Sequence, residues 1–214
     1  MRLLRCCVYI FLTLFVVISF VTLLPLILNW PTRAERQIMN EVEHLGGRAF
    51  FPHTASACGY VDLRHSKVTD RNLALLDLGQ TRHFWTLYLS DTHIGDPGMK
   101  YVAQLSSLRT LYLDDTRVTD SGISELISLR HLENLNLSNT HVTDASLPYI
   151  GHMKSLDSLN IKNTRMTDSA AEKLAVALPH LSVFRGDVLV CESGVVRRLS
   201  TPENPKNGEA KRTK

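Results

Sequence analysis

One short pattern occurs five times along the middle of the chain, and this periodicity constrains the fold more than any other feature. The hydroxyl residues at the equivalent position of successive copies are 26, 24, 24 and 24 residues apart. Such a period predicts a solenoid, because one unit cannot bury its apolar surface alone and must stack on its neighbours. The copies are YVDLRHSKVTD, TLYLSDTHIGD, TLYLDDTRVTD, NLNLSNTHVTD and SLNIKNTRMTD, with Ser66, Thr92, Thr116, Thr140 and Thr164 as the equivalent residues.

Each repeat contains two apolar series with different spacing. Leu111 and Leu113 alternate with polar residues, which places both side chains on one face of a short strand. After a turn Val118 points inward again, and Ile123 and Leu126 then follow at helical spacing. We therefore predict an α/β solenoid in which the strands form a parallel ribbon on one face and short helices lie on the other.

An aspartate follows the turn of every repeat. Since it stands directly before the helical series, we expect its carboxylate to cap the helix by accepting a hydrogen bond from an unpaired backbone N–H. The threonine row is expected to bond turn backbone inside the coil, because a buried hydroxyl needs a partner. The aspartates are Asp70, Asp96, Asp120, Asp144 and Asp168.

The pattern L-x-L-x-x-T-x-V-T-D-x-G-[LI], as in LYLDDTRVTDSGI, resembles the short leucine-rich repeats of bacterial membrane-anchored proteins. The resemblance spans residues 60–186, and AERQIMNEVEHLGG from Ala34 is similar to the membrane-proximal segment of those proteins. The pattern is also similar to the cysteine-containing repeats of F-box ubiquitin-ligase adaptors, although threonine replaces the cysteine and no F-box-like helical domain precedes the repeats. Both resemblances imply a binding module without fixing its ligand.

The first 30 residues have the composition of a membrane anchor. No charge occurs between Arg5 and Arg33, and the apolar run is long enough to cross a bilayer core of about 30 Å. Because no Ala-x-Ala cleavage site follows and Trp30 suits the membrane interface, we predict an uncleaved transmembrane helix that meets the bilayer through residues 6–30. Arg2, Arg5 and the charged amino terminus favour a cytoplasmic N-terminus and periplasmic or extracellular repeats. Cleavage at an atypical site, followed by secretion, is the alternative.

The other segments are interpreted as caps and a tail. Residues 31–59 form a linker and an N-terminal cap, because Ile38, Val42 and Leu45 recur at helical spacing before two glycines. Residues 60–186 hold the repeats and end in a degenerate sixth strand. The valines of residues 187–199 indicate a capping hairpin, and residues 200–214 have the composition of a disordered basic tail.

The charge distribution argues against nucleic acid as a partner of the repeats. The formal net charge is +3, but residues 1–36 contribute +3 and residues 197–214 contribute +4, which leaves −4 between them. A mildly acidic folded part does not attract a polyanion. Cys58 and Cys191 flank opposite ends of the repeats, roughly 20 Å or more apart at strand spacing, so we predict two free thiols.

Compact catalytic signatures are absent from the sequence, which contains no H-E-x-x-H, G-x-S-x-G, phosphate-binding glycine loop or C-x-x-C pair. We therefore expect no enzyme, no cofactor and no metal site. His93 and His141 alternate with Arg117 and Arg165 at one repeat position. At strand spacing the two histidines lie about 10 Å apart, too far to share an ion. We interpret this row as a solvated basic edge, with anion binding as the alternative.

The outward positions of the strands provide the candidate binding surface, because alternation exposes one row of side chains there. Adjacent tyrosines combine apolar area with a polar tip, and tyrosine is enriched in binding hot spots. Cross-strand stacking that only stabilises the ribbon is the alternative. The candidate partner-binding residues are Tyr88, Tyr112, Asn136 and Asn160 in the row, Asp114 beside it and Trp85 at its edge.

These features predict a non-catalytic, membrane-tethered recognition module that binds a protein or glycan partner through the concave strand face. One rival is a structural envelope protein that self-associates through its anchor or its solenoid ends and has no dedicated ligand. An adaptor similar to the repeat part of F-box proteins is a second. The third is an enzyme with a diffuse site, for which the sequence shows no nucleophile-base or metal constellation.

Overall fold

A computed structural model of the chain describes residues 32–52, 59–76, 78, 84–185, 188–192 and 195–196. Within these residues nine strands form one sheet, and neighbours in sequence are neighbours in the sheet. The strands are β1 (Arg48–Phe50), β2 (Gly59–Asp62), β3 (Phe84–Tyr88), β4 (Thr110–Tyr112), β5 (Asn134–Asn136), β6 (Ser158–Asn160), β7 (Ser182–Arg185), β8 (Val188–Glu192) and β9 (Val195–Val196). Strands β2 to β7 run parallel, and the outer pairs at both ends are antiparallel.

The alternation of apolar residues sets the register of this sheet. The first leucine of each strand from β3 to β6 pairs with its counterpart in the next repeat, and these residues are Leu87, Leu111, Leu135 and Leu159. All of them are buried, as are Leu113 and Leu137 in the following row. The predicted parallel ribbon with one buried face is confirmed.

One helix precedes the sheet, and the others follow strands β2 to β6 on the opposite side of the core. They are α1 (Arg33–His44), α2 (Asp70–Leu75), α3 (Asp96–Val102), α4 (Asp120–Glu125), α5 (Leu147–Ile150) and α6 (Asp168–Ala177), with 3₁₀ turns at Leu126–Ser128 and Asp144–Ser146. Val118, Ile123 and Leu126 are buried, as predicted. The fourth repeat has only a 3₁₀ turn and the single turn of α5, with Pro148 at its start. Proline is tolerated there because the first turn of a helix needs no donor.

The turns that join strand to helix are closed from inside by the hydroxyl row. The side chains of Thr92, Thr116 and Thr140 each donate to the carbonyl oxygen three residues earlier, at 2.6, 2.5 and 2.6 Å. All of these threonines are buried. The expectation that the hydroxyls satisfy turn backbone is confirmed.

The start of the sheet is covered by α1. This helix begins with a capping box between Thr32 and Glu35 and buries Ile38 and Val42. It is followed by Gly46, whose φ of +85° is readily adopted only by glycine. Since β1 pairs antiparallel with β2, helix and strand together close the open edge of the ribbon.

Several sequence-based predictions lie outside the described residues: the anchor of residues 1–30, the tail of residues 200–214 and the thiol of Cys58. None of the described helices has the length and apolar character needed to span a membrane.

Candidate functional site

The outward side chains of β2 to β7, called the strand face below, form rows across the sheet. The strand registers place Asp62, Tyr88, Tyr112, Asn136, Asn160 and Phe184 in one continuous row. Four of the predicted site residues therefore lie side by side. They are brought together because the 24-residue period keeps the register unchanged from strand to strand.

Tyr88 and Tyr112 form an aromatic stack at the N-terminal end of this row. Their ring centroids are 4.8 Å apart and the ring planes differ by 12°. Both side chains are half-buried, so each ring keeps an accessible part. Burial, followed by the proximity of Tyr112, raises the pKa of the Tyr88 hydroxyl above its usual value. Both effects disfavour the phenolate, so Tyr88 is a neutral donor and acceptor at physiological pH.

An arginine holds the stack from the side of β2. The guanidinium carbon of Arg64 lies 4.8 Å from the centroid of the Tyr88 ring. Its Nε and Nη2 donate to the two carboxylate oxygens of Asp62 at 2.9 and 2.6 Å. The Arg64 side-chain hydrogen bonds hold the pKa of Asp62 below its usual value. This fork fixes the plane of the guanidinium, and the guanidinium restrains the Tyr88 ring.

Asp114 is the centre of a polar network beside the row. Its Oδ1 accepts hydrogen bonds from the Ser90 hydroxyl at 2.8 Å and from Asn136 Nδ2 at 3.0 Å. The Asn136 Oδ1 accepts in turn from the backbone N–H and hydroxyl of Ser138. The network restrains the side chains of Asp114 and Asn136.

The C-terminal half of the strand face contains a shallow depression of about 270 Å³. It extends from Tyr112 to Phe184 and includes Asn160. Sequence reasoning placed residue 184 in a degenerate strand and did not assign it to the site. The signal was present, since Phe184 stands 24 residues after Asn160, one repeat period later.

Trp85 is not part of the tyrosine row. It alternates with Thr86 and Tyr88 along β3, and its ring lies 4.9 Å from the guanidinium carbon of Arg109. Arg109 also forms an ion pair with Glu133. The tryptophan therefore belongs to a separate group at the edge where the strands begin, because adjacent residues of a strand point in opposite directions.

The expectation that the aspartates occupy the cap positions of the helices is wrong. The cap is the preceding residue, such as Thr143, whose hydroxyl accepts from the N–H of Ala145. Each aspartate is instead the first residue of its helix or 3₁₀ turn, and the first four aspartates accept backbone hydrogen bonds from the next repeat. The carboxylate of Asp120 accepts from the backbone N–H and the hydroxyl of Thr143, at 2.8 and 2.6 Å. The same pairs of bonds connect Asp96 with Thr119 and Asp144 with Thr167.

The basic row lies on the surface of the turns that precede the helices. Its exposed members are Lys67, His93, Arg117, His141 and Arg165. Within the described part of the chain none of them forms an ion pair. The same part contains no group of three or more histidine, cysteine, aspartate or glutamate side chains arranged to hold a metal ion.

Two adjoining stretches of the sequence, residues 82–103 and 104–126, match the leucine-rich-repeat family. Among solved structures the chain is similar to a leucine-rich-repeat protein of Leptospira interrogans, at 22% identity over 50% of this chain and 26% of that one, with a TM-score of 0.40. It is also similar to internalin C2 of Listeria monocytogenes, at 19% identity over 72% of this chain and 83% of that one, with a TM-score of 0.36. No curated protein matches the sequence.

The chain spans about a quarter of the length of the Leptospira protein. The family match and the stacked strand, turn and helix units agree with each other: residues 82–126 contain leucine-rich repeats, and the fold is a leucine-rich-repeat-like solenoid with a parallel sheet on one face. Solenoids of this class generally act as recognition modules, because their stacked repeats present an extended surface to other molecules.

Proposed function

We propose that the chain is a non-catalytic recognition module, tethered to a membrane, that binds a protein or glycan partner through its strand face. The observation that carries this proposal is the Tyr88–Tyr112 stack. Arg64, which is fixed by Asp62, packs on the Tyr88 ring, and both rings remain partly exposed on a sheet whose other face is the core.

An aromatic pair that is restrained before binding suits recognition for a physical reason. Binding immobilises side chains, and a pair that is already fixed loses less conformational entropy on binding. The Tyr88 and Tyr112 hydroxyls have no hydrogen-bond partner within the described part of the chain, so both remain available to a ligand. Stacking that served only to stabilise the ribbon would not require hydroxyl groups on the rings.

The tether and its orientation are supported by the sequence. The run of residues 6–30 is uncharged and long enough for a bilayer, and Arg2 and Arg5 resist translocation. With the N-terminus in the cytoplasm, the repeats reach partners in the periplasm or outside the cell. Attachment to a surface also favours binding of a tethered or polymeric partner, because neighbouring copies engage it at once.

A double substitution of the tyrosines tests the proposal. The Tyr88→Ala, Tyr112→Ala variant is expected to lose most of its affinity for the native partner, because the hot-spot rings are removed. The control is Val176→Ala on α6, a side chain that is 80% exposed on the helix side, and it should bind like the unmodified protein. Unchanged affinity of a folded double variant would remove the strand face as the binding site.

A further inference from the structure

The depression on the strand face has an unusual lining for a surface of a charged protein. Its outward side chains are all uncharged, and they are Thr110, Tyr112, Asn134, Asn136, Ser158, Asn160 and Phe184. A charged ligand group placed here would lose water without meeting an opposite charge. The ligand that fits this lining is therefore neutral.

The depression also contains hydrogen-bonding atoms that the protein does not use. Asn134 Nδ2 donates to the Thr110 hydroxyl at 3.3 Å, which leaves its Oδ1 as an acceptor. Asn160 Oδ1 accepts from the Lys162 N–H at 3.1 Å, which leaves its Nδ2 as a donor. The Ser158 hydroxyl between them has no partner in the described part of the chain. One acceptor, one donor and one hydroxyl thus face the same space.

Aromatic rings bound the depression at both ends. One face of the Tyr112 ring is covered by Tyr88, and Tyr112 lines the depression on its other side. Phe184 lies three strands further on, about 14 Å away at the usual strand spacing. The C–H groups of a sugar ring carry small positive charges that pack on the negative face of an aromatic ring.

We propose that this depression binds a neutral oligosaccharide. This rests on the proposed recognition function and names the chemical class of its ligand. The sugar hydroxyls pair with Asn134, Ser158 and Asn160, and pyranose faces pack on Tyr112 and Phe184. A peptide added as an extra strand is disfavoured, because β4 to β7 each have hydrogen-bonded neighbours on both sides and offer no free edge.

Titration with defined sugars tests the assignment. The full-length protein is purified in a detergent without a sugar head group and titrated with maltotetraose, cellotetraose, chitotetraose and mannotetraose by calorimetry and saturation-transfer NMR. At least one neutral sugar should bind, whereas tetragalacturonate should not. Ser158→Ala and Asn160→Leu should each weaken binding about tenfold, the usual effect of one lost hydrogen bond. Ser121→Ala, an exposed serine on α4, should leave the affinity unchanged.

The proposal is overturned if none of the neutral sugars binds, if tetragalacturonate binds equally well, or if Ser158→Ala and Asn160→Leu bind as tightly as the unmodified protein. These failures differ from failure of the recognition function itself. If the chain binds no sugar but captures a protein partner in a way that depends on Tyr88, the oligosaccharide proposal is wrong and the recognition function stands. If the native partner binds independently of Tyr88 while the sugar still binds, the tyrosine stack is not the recognition site, and the depression remains the sugar site.

Discussion

In each of the first four repeats one carboxylate accepts a backbone hydrogen bond from the next repeat. Asp120 makes two hydrogen bonds to Thr143 from within a partly buried contact. Hydrogen bonds to a charged group stabilise more than neutral ones, because the ionic partner strengthens the electrostatic attraction. Polar contacts as well as stacked apolar side chains therefore stabilise the packing of one repeat on the next.

Replacing Asp120 should reduce the free energy of unfolding by more than the loss of a helix cap does. Asp120→Ala is expected to reduce the free energy of unfolding by about 1.5–3 kcal/mol, because it removes both bonds to Thr143. Asp168 is the matched control: it starts α6 in the same way but makes an exposed ion pair with Arg185 at 3.1 Å. Asp168→Ala should cost about 1 kcal/mol or less. Urea unfolding of the two variants measures the difference, and equal losses would contradict the inter-repeat role.

The backbone of the turn carries a second prediction. Asp115 has a φ of 57°, in the left-handed region, and the equivalent residues of the other repeats have φ values between 53° and 58°. Asp115→Ala should be less stable than Asp115→Gly by about 0.5–1 kcal/mol, because glycine avoids the Cβ strain but is also freer when unfolded. Both variants lose the bond from Asn139, so the comparison isolates the backbone.

Ser121 supplies the control for this prediction. It lies in helix α4, where alanine is preferred over glycine by about 0.5–1 kcal/mol. In denaturant unfolding the glycine variant should therefore be the more stable one at Asp115, and the alanine variant should be the more stable one at Ser121. The same order at both positions would show that the turn backbone is not strained.

The sequence identified the residues of each motif but assigned the aspartate to the wrong partner. Spacing along the chain showed that Asp96 starts a helix, and it does not show which atoms of the next repeat lie above it. The available signal was the small residue that stands two positions after four of the five aspartates. A Cβ on Gly122 would lie 2.5 Å from Asp96 Oδ1, so the motif glycine makes room for the carboxylate of the preceding repeat.

At the scale of elements, the strands were predictable and the helices only partly so. Strict alternation as in Leu111 and Leu113 permits one register, since a shift by one residue would expose both leucines. Helical spacing is compatible with several short conformations, and the segments from Asp120 to Ser128 and from Asp144 to Ile150 mix α and 3₁₀ turns. Short helices owe their stability to packing against neighbours rather than to their own sequence.

The prediction at this scale concerns the contribution of the buried core to stability. Leu137 is fully buried, as are Leu113 and Ile161 at the equivalent position of the adjacent repeats, and Leu137→Ala should reduce the free energy of unfolding by roughly 2–5 kcal/mol through lost burial and a cavity. Ile127, 40% exposed on the helix side, is the control, and Ile127→Ala should change it by about 0.5 kcal/mol or less. If denaturant unfolding showed a larger loss of unfolding free energy for Ile127→Ala than for Leu137→Ala, the assignment of inward and outward side chains would be wrong.

At the scale of the whole molecule, the proposed membrane anchor would decide which partners the strand face meets. In spheroplasts of an expressing bacterium, external protease should digest the repeats, because the charged N-terminus stays inside. The mature protein should begin with Met-Arg-Leu or lack only the methionine. Protection of the repeats until lysis would reverse the orientation, and a mature N-terminus beyond Trp30 would replace the anchor by a cleaved signal.

The binding role of the strand face is the central claim, and site-specific photo-crosslinking in intact membranes tests it most directly. A benzophenone amino acid is placed at Asn134, exposed on the strand face, or at Leu75 and Val176, which are 71% and 80% exposed on the helix side. The account predicts one recurrent foreign partner at position 134 and none at positions 75 and 176. A partner captured only from the helix side, or products that contain only this chain, would contradict it.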